Sequence, residues 1–287
     1  MSRRLLITGG TGYLGSVLVR QSAALGDTVA ATYYSNMPPP QPGVIWLPLD
    51  VRDDLAVFQA LDELRPDLVI HTAFQQTGPD LMSITADGAG HVATAAARCN
   101  ARLIHMSSDV IFDGEAERAY HEADPPAPIS AYGAAKARAE ALVSSAHPQA
   151  VLVRTSLIYG FDPIDRISRF TLDVARGQIQ AQLFSDEYRC PIYVEDLASA
   201  LLELCDLPYQ GILNIAGAER VSRYELGTLI ARAWGLDPTS IPAGLSASQA
   251  TPRPRNCTLN ISRAQALLKT PLRGIRAVLR AVEAGER

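Results

Sequence analysis

Short, wholly apolar runs alternate with amphipathic stretches through the first half of the chain. Leu5-Leu6-Ile7, Thr28 to Tyr33, Val44 to Leu47, Leu68 to His71, Arg102 to Met106 and Ala150 to Arg154 read as six strands. Between them, Val17 to Leu25, Asp53 to Leu64, Leu81 to Arg98 and Tyr132 to Ser145 carry helical periodicity. In Asp53 to Leu64, the residues Leu55, Phe58, Leu61 and Leu64 fall on one side, with Asp53 placed to cap the helix. The strand runs do not alternate apolar with polar. They are therefore expected to be buried on both faces, as in a parallel sheet covered by helices on either side. Right-handed crossovers follow. Met37 to Gly43 holds four prolines and must be loop.

After Gly160 the rhythm changes. Helix-like stretches (Arg166 to Ala175, Glu195 to Cys205, Arg223 to Trp234, Arg263 to Leu268, Leu272 to Val282) are joined by short strands, and proline-rich Pro238 to Pro254 reads as loop. Ile212 to Ile215 reads as a strand returning to the main sheet. The predicted organisation is a domain of residues 1–160, rejoined by 195–217, and a smaller lobe of 161–194 and 218–287. Such a lobe packs over the carboxyl edge of the sheet, where ligands of open parallel sheets bind.

The first strand runs into Thr8-Gly9-Gly10-Thr11-Gly12-Tyr13-Leu14-Gly15 and then into a helix. In a strand-to-helix turn, early glycines permit a tight bend and close approach to a pyrophosphate. The last lets the helix pack on the strand, and the phosphates sit on unpaired amides at the helix start. The fold class expected is therefore α/β, a Rossmann-type doubly wound parallel sheet with a smaller C-terminal substrate lobe.

Composition narrows the partners. Of 287 residues, 47% are hydrophobic and 20% charged, as in ordinary globular proteins. A net charge of −4 argues against nucleic-acid binding through a basic surface. No apolar run approaches the ~20 residues that span a bilayer, so no membrane role is expected. Cys99, Cys190, Cys205 and Cys257 have no metal spacing and read as reduced, mostly buried thiols of a cytoplasmic protein. His71 and His105, near strand ends, read as locally bonded histidines with no metal role.

The sharpest chemistry lies in Ser108, at the end of the fifth strand, with Tyr132 and Lys136 four residues apart on one helix face. A tyrosine titrates at about 10 unperturbed. A neighbouring ammonium favours phenolate, so proton exchange comes closer to neutral pH. A serine hydroxyl can polarise a carbonyl and steady the alkoxide that forms under hydride attack.

These motifs, in this order, resemble those of the extended short-chain dehydrogenase/reductases. The loop at 8–15, Leu49-Asp50-Val51, Ser108 and Tyr132-x-x-x-Lys136 carry the likeness. Within that family, Met106 to Gly114, Val153 to Gly160, Pro191 with Glu195 to Ala198, and Arg253-Pro254-x-Asn256 are similar to segments of the dTDP-4-dehydrorhamnose reductase-like branch. The resemblance implies a keto reductase acting on a nucleotide-activated sugar, with Ser108, Tyr132 and Lys136 as catalytic residues. It implies that Gly9, Thr11, Gly12, Tyr13 and Leu14 hold the pyrophosphate. Asp50 and Val51 would flank the adenine, Ala73 would lie along the cofactor, and Lys136 would reach the ribose. Asp109, Leu157 and Arg189 are the substrate-side candidates. Arg189 suits a phosphate bidentately, or a surface salt bridge; Asp109 suits orientation of the serine loop, or a turn cap.

Three departures from the family pattern matter. Thr85 stands where the family often has an Asn that supports proton relay. Leu157 stands where the rhamnose-type reductases have a Trp. Tyr33-Tyr34-Ser35 stand where an Asp would select NAD by repelling a 2′-phosphate. NADP(H) is accordingly preferred with NAD(H) still admitted, although no arginine directly follows the second strand. Two alternatives stay open: an epimerase or dehydratase of the same family, and a non-catalytic NADP-binding regulatory subunit resembling that of methionine adenosyltransferase. Pairing into a homodimer is compatible with the family.

Overall fold

The computed structural model describes residues 3–249 and 251–285. Residues 1–2, 250 and 286–287, which fall within the expected domain bounds and the 238–254 loop, lie outside the described residues. The chain divides into two compact units, the first formed by Met1–Ser108, Ala131–Arg154 and Ala198–Leu213, the second by Asp109–Ser130, Thr155–Leu197 and Asn214–Arg287. Segment 109–130, expected with the first domain, clusters instead with the second unit.

The first unit is built on a seven-stranded sheet. Its strands are β1 (Arg4–Thr8), β2 (Thr28–Tyr33), β3 (Val44–Pro48), β4 (Leu68–His71), β5 (Arg102–Met106), β6 (Val151–Arg154) and a last strand, Gly211–Asn214. The order across the sheet is last strand, β6, β5, β4, β1, β2, β3. Pairing is parallel, with Leu6 opposite Ala30 on one side and Val69 on the other. Leu5, Leu6 and Ile7 are buried, as are Val69, Ile70, Leu103 and Ile104. This explains why these strands lack alternation: both faces are covered.

Four helices flank these strands in chain order: α1 (Tyr13–Ala24), α2 (Asp54–Leu64), α3 (Gly88–Arg98) and α4 (Ala131–Ala146). Asp53 caps α2 by accepting from the Ala56 amide, as its position predicts. Val57 and Leu61 of α2, Ala89, Val92 and Ala96 of α3, and Ala139 and Val143 of α4 share one core with Leu6, Val69, Leu103 and Leu152. The long helix expected over 81–98 is not uniform. Ser83–Asp87 form a π-helical turn before α3 begins.

The order of the strands reverses at β1, whose neighbours are β4 and β2. That switch leaves a crevice at the carboxyl ends of the strands. Thr8 and His71 lie side by side there.

In the second unit, α5 (Arg166–Ala175) is capped by Asp165, and, after α6 (Val194–Cys205) in the chain, α7 (Arg223–Ala233) is capped by Ser222. Leu172 of α5, Leu226 and Ile230 of α7, and Ile275 and Val278 of the helix Ile275–Glu283 close around Tyr159. The region expected as plain loop contains a two-residue strand, Ala243–Gly244, which pairs in parallel with Leu183–Phe184.

Candidate cofactor cleft and active site

The glycine loop is held by backbone. The Gly10 amide donates to the Thr32 carbonyl at 2.8 Å and the Gly12 amide to the Gly9 carbonyl at 2.9 Å. Gly9 has φ +68°, and a Cβ there would lie 2.9 Å from the Ala73 backbone. A Cβ on Gly15 would lie 2.2 Å from the Gly9 carbonyl oxygen. Neither position admits a side chain without moving main chain. Gly12 caps α1 with no side-chain bond, so the first turn keeps the character of an anion site. The adjoining cavity is about 280 Å³, and Gly9, Thr11, Gly12, Asp50, Val51 and Ala73 line it. Tyr13 and Leu14, expected beside them, do not line it. Leu14 is buried.

At the β2 end of this cleft stand Tyr33 and Tyr34, with Asp50 opposite. Asp50 accepts from the Arg52 amide at 3.0 Å and receives the Arg52 guanidinium through Nε and Nη2. Those bonds hold its pKa below the ordinary carboxylate range. Arg52 also donates to the Tyr34 hydroxyl at 2.8 Å and pairs with Asp80 at 3.1 Å. No arginine follows β2 in sequence; this one arrives from beyond β3. Sequence reading missed it because only the sheet brings residue 52 beside residue 34.

The catalytic candidates of the first unit sit just after β5, at Ser108, and on α4, at Tyr132 and Lys136. Lys136 is buried and donates from Nζ to the Met106 carbonyl at 2.8 Å. Its Nζ lies 5.0 Å from the Phe74 ring centre and 6.0 Å from that of Tyr132, and the two rings are 5.8 Å apart. Burial lowers the Lys136 pKa to about 7, against an upward pull from Glu140. The lysine is therefore poised to hold or release a proton near neutrality.

One turn further along α4, Glu140 accepts from Ser107 at 2.6 Å and binds Arg154 through two bonds, at 3.0 and 2.8 Å. This buried cluster ties the end of β5 to α4. It thereby fixes the strand end that carries Ser108 against the helix carrying Tyr132 and Lys136. Nothing in local spacing marks it, since its members come from three elements.

His71 and His105 stack with ring centres 5.3 Å apart. His71 bonds Thr8 at 2.7 Å. The local partner expected for His105 is absent: both its ring nitrogens are buried without a hydrogen bond. Burial, aided by the Lys136 charge, pushes His71 down to about 3, and burial with the His71 and Lys136 charges takes His105 well below its ordinary value. Both are neutral imidazoles at physiological pH.

Thr85 lies in the π turn. Its hydroxyl accepts from the Gln75 amide at 2.9 Å and donates to the Gln75 carbonyl at 2.8 Å. The residue standing where the family has Asn thus clamps the segment that carries Ala73 and Phe74 along the cleft.

The second unit engages the three substrate-side candidates, Arg189, Asp109 and Leu157, in contacts with its own residues. Arg189 is 2% exposed, pairs with Glu187 at 3.1 Å, lies 3.6 Å from Asp109, and donates to the carbonyls of Tyr188 and Pro254. It is a structural guanidinium, not an outward phosphate clamp. Asp109, also 2% exposed, receives the Ser156 hydroxyl at 2.7 Å. Leu157 packs against the apolar cluster around Tyr159. The unit instead offers a cavity of about 480 Å³ lined by Phe170, Gln182, Phe184, Arg223, Gln249 and Arg253 among others. Arg253 lies over the Phe184 ring at 5.3 Å. The Nη1 of Arg223 is buried with no hydrogen-bond partner, and burial weakens its hold on its proton. Two guanidiniums beside an aromatic ring suit a phosphorylated, ring-bearing ligand.

A switch-point crevice with an open glycine turn, and a buried lysine one turn from a tyrosine, are features of dinucleotide-binding α/β proteins. The chain belongs to the RmlD substrate binding domain family, which it matches over residues 3–285. It is 34% identical to dTDP-4-dehydrorhamnose reductase of Mycobacterium tuberculosis (strain ATCC 25618 / H37Rv), over 97% of this chain and 91% of that protein. A hypothetical dTDP-4-dehydrorhamnose reductase from Sulfolobus tokodaii superposes with a TM-score of 0.82 at 28% identity, covering 95% of this chain and 97% of that one. The fold is shared too with the dTDP-4-dehydrorhamnose reductase of Bacillus anthracis str. Ames, solved in complex with NADP. That likeness has a TM-score of 0.82 at 22% identity and covers 99% and 100% of the two chains. No helix among the described residues is long and apolar enough to cross a membrane.

Proposed function

We propose that this protein is an NAD(P)H-dependent reductase of a keto group on a nucleotide-activated sugar, preferring NADP(H) and accepting NAD(H). The observation that carries the reading is the buried Lys136, on the same helix face as Tyr132 and in the same unit as a cleft that fits a dinucleotide. The fit rests on Gly9 and Gly15, where any side chain would collide with backbone, and on the uncapped start of α1. The reduced nicotinamide, when bound, supplies the hydride.

The chain's own groups do the rest. Ser108 donates to the carbonyl oxygen and polarises it. Tyr132 delivers the proton to that oxygen. Lys136 biases Tyr132 toward proton release, and its ammonium is a donor to ribose hydroxyls. Phe74 screens the lysine from water on one side. The Arg223 and Arg253 cavity of the second unit takes the nucleotide diphosphate, with Phe184 as an apolar face for the base. The intact Ser108, Tyr132 and Lys136 set supports turnover over a purely cofactor-binding role.

The test mixes purified protein, NADPH and a panel of 4-keto nucleotide sugars, following absorbance of the reduced cofactor. Oxidation of NADPH by at least one ketone, lost about 10²- to 10⁴-fold in Tyr132→Phe with NADPH binding retained, is expected. Tight NADPH binding with no turnover on any ketone would sink the reading in favour of a regulatory subunit.

A further inference from the structure

Tyr34 and Asp50 line the adenosine end of the cleft, and they are bonded to a charge cluster, completed by Arg52 and Asp80 outside the lining, that the reductase reading leaves unexplained. Tyr34, at the end of β2, occupies the place where an acidic residue would bind the ribose 2′-hydroxyl of NAD. Around it stand one cation, Arg52, and two carboxylates, Asp50 and Asp80. The two carboxylates are not equivalent. Asp50 meets Arg52 through both oxygens, to Nε and Nη2, and also takes the Arg52 amide, so that pair is locked within one turn of chain. Asp80 touches only Nη1, at 3.1 Å, and its side chain is 50% exposed. An ion pair that exposed adds little stability. Nη1 is therefore the exchangeable donor of the guanidinium. Beside it, the Tyr34 hydroxyl accepts from Nη2, which leaves its own proton to donate.

We propose that Arg52 holds the adenosine 2′-phosphate of NADP(H), releasing Asp80 and keeping Asp50, with Tyr34 as a second donor. The inference rests on the dinucleotide reading above and assigns the cofactor choice to an arginine after β3, with no cation required at the end of β2. Asp80 then acts as a built-in competitor. With a 2′-hydroxyl present it stays on Arg52, and the cluster keeps a net charge of −1 that an uncharged ribose tolerates. With a 2′-phosphate present it yields. One site thereby serves both cofactors, with a preference set by the difference between a phosphate and a carboxylate on the same nitrogen.

Titrations of NADPH and NADH, followed by fluorescence, on wild type, Arg52→Gln and Asp80→Asn test this. Arg52→Gln is expected to weaken NADPH about tenfold or more and to leave NADH within about twofold. Asp80→Asn is expected to tighten NADPH and leave NADH unchanged. Arg52→Lys, which keeps charge but loses the planar fork, should fall between. Equal weakening of both cofactors in Arg52→Gln, or an unchanged ratio, would overturn the assignment while leaving the dinucleotide site standing. A wild-type protein that binds neither cofactor would overturn both.

Discussion

In the cofactor cleft, the glycine loop is held by main-chain bonds among Gly9, Gly10, Gly12 and Thr32. In the second unit the reverse holds. Asp109, Ser156, Glu187 and Arg189 are side chains, all buried, and they bind one another and nearby carbonyls. The cleft depends on the absence of side chains and the second unit on exact pairing between them. The first arrangement fails by overcrowding, the second by leaving a charge behind.

That contrast can be broken in order of severity. Arg189→Met should be the most damaging change, because it takes the buried cation from Asp109 and leaves Glu187 with Arg253 alone. A loss of about 3–5 kcal/mol is expected in urea unfolding. If the variant were as stable as wild type, the network would be replaceable by packing and the contrast would fail. Gly15→Ala attacks the other side. Overlap with the Gly9 carbonyl forces the loop away from α1, at a cost of about 2–3 kcal/mol, and dinucleotide titration should show binding lost. Retained binding would mean that the loop tolerates displacement.

The third prediction concerns pH and the cofactor-free protein. Lys136 in the folded state gives up its proton near 7, whereas in the unfolded chain it does so near 10.4. Between those values the unfolded chain binds one more proton, so stability rises with pH, with a slope of at most about 1.4 kcal/mol per pH unit. His71 and His105 act in the same direction in a lower window. Neutral when folded, they cost stability as pH falls below about 6.5, where the unfolded chain takes up their protons. Unfolding of Lys136→Met across pH 5–9 should lose the upper limb and keep the lower one. An unchanged upper limb would remove Lys136 as its source. The smallest effect is expected for Thr85→Val, which deprives both Gln75 backbone groups of their partner. A loss of about 1–2 kcal/mol, with weakened NADPH binding through the Ala73–Phe74 segment, is the outcome to check by unfolding and titration.

What could be read from the chain beforehand divides along the same line. The strands, the glycine turn, the Asp53 cap and the Tyr132–Lys136 face depend on neighbours within a few residues, and the structure has them where the pattern places them. The partners of Arg52, Glu140 and Thr85 are set by which strands lie together, and no local period encodes that. Arg189 and Asp109 show the converse difficulty. A charged residue in a polar stretch looks outward, and only the approach of Glu187 and the 254–255 backbone turns it inward. The 109–130 segment misled for a related reason. It directly follows a sheet strand in sequence, yet Gly114 is fixed by the backbone at Pro254 and Arg255.

The π turn at 83–87 gives one helix two angular settings. Each residue of an α-helix advances the side chains by about 100°, and a π turn inserts one residue's worth of rotation without ending the rod. Within that step Thr85 is aimed at the Gln75 backbone, while downstream Ala89, Val92, Ala93 and Ala96 keep their stripe on the sheet. The turn works as a phase shifter, letting the grip on the loop and the seat in the core be set separately. Shortening the chain by one residue there would re-clock the helix, so that only one of the two faces could stay in place.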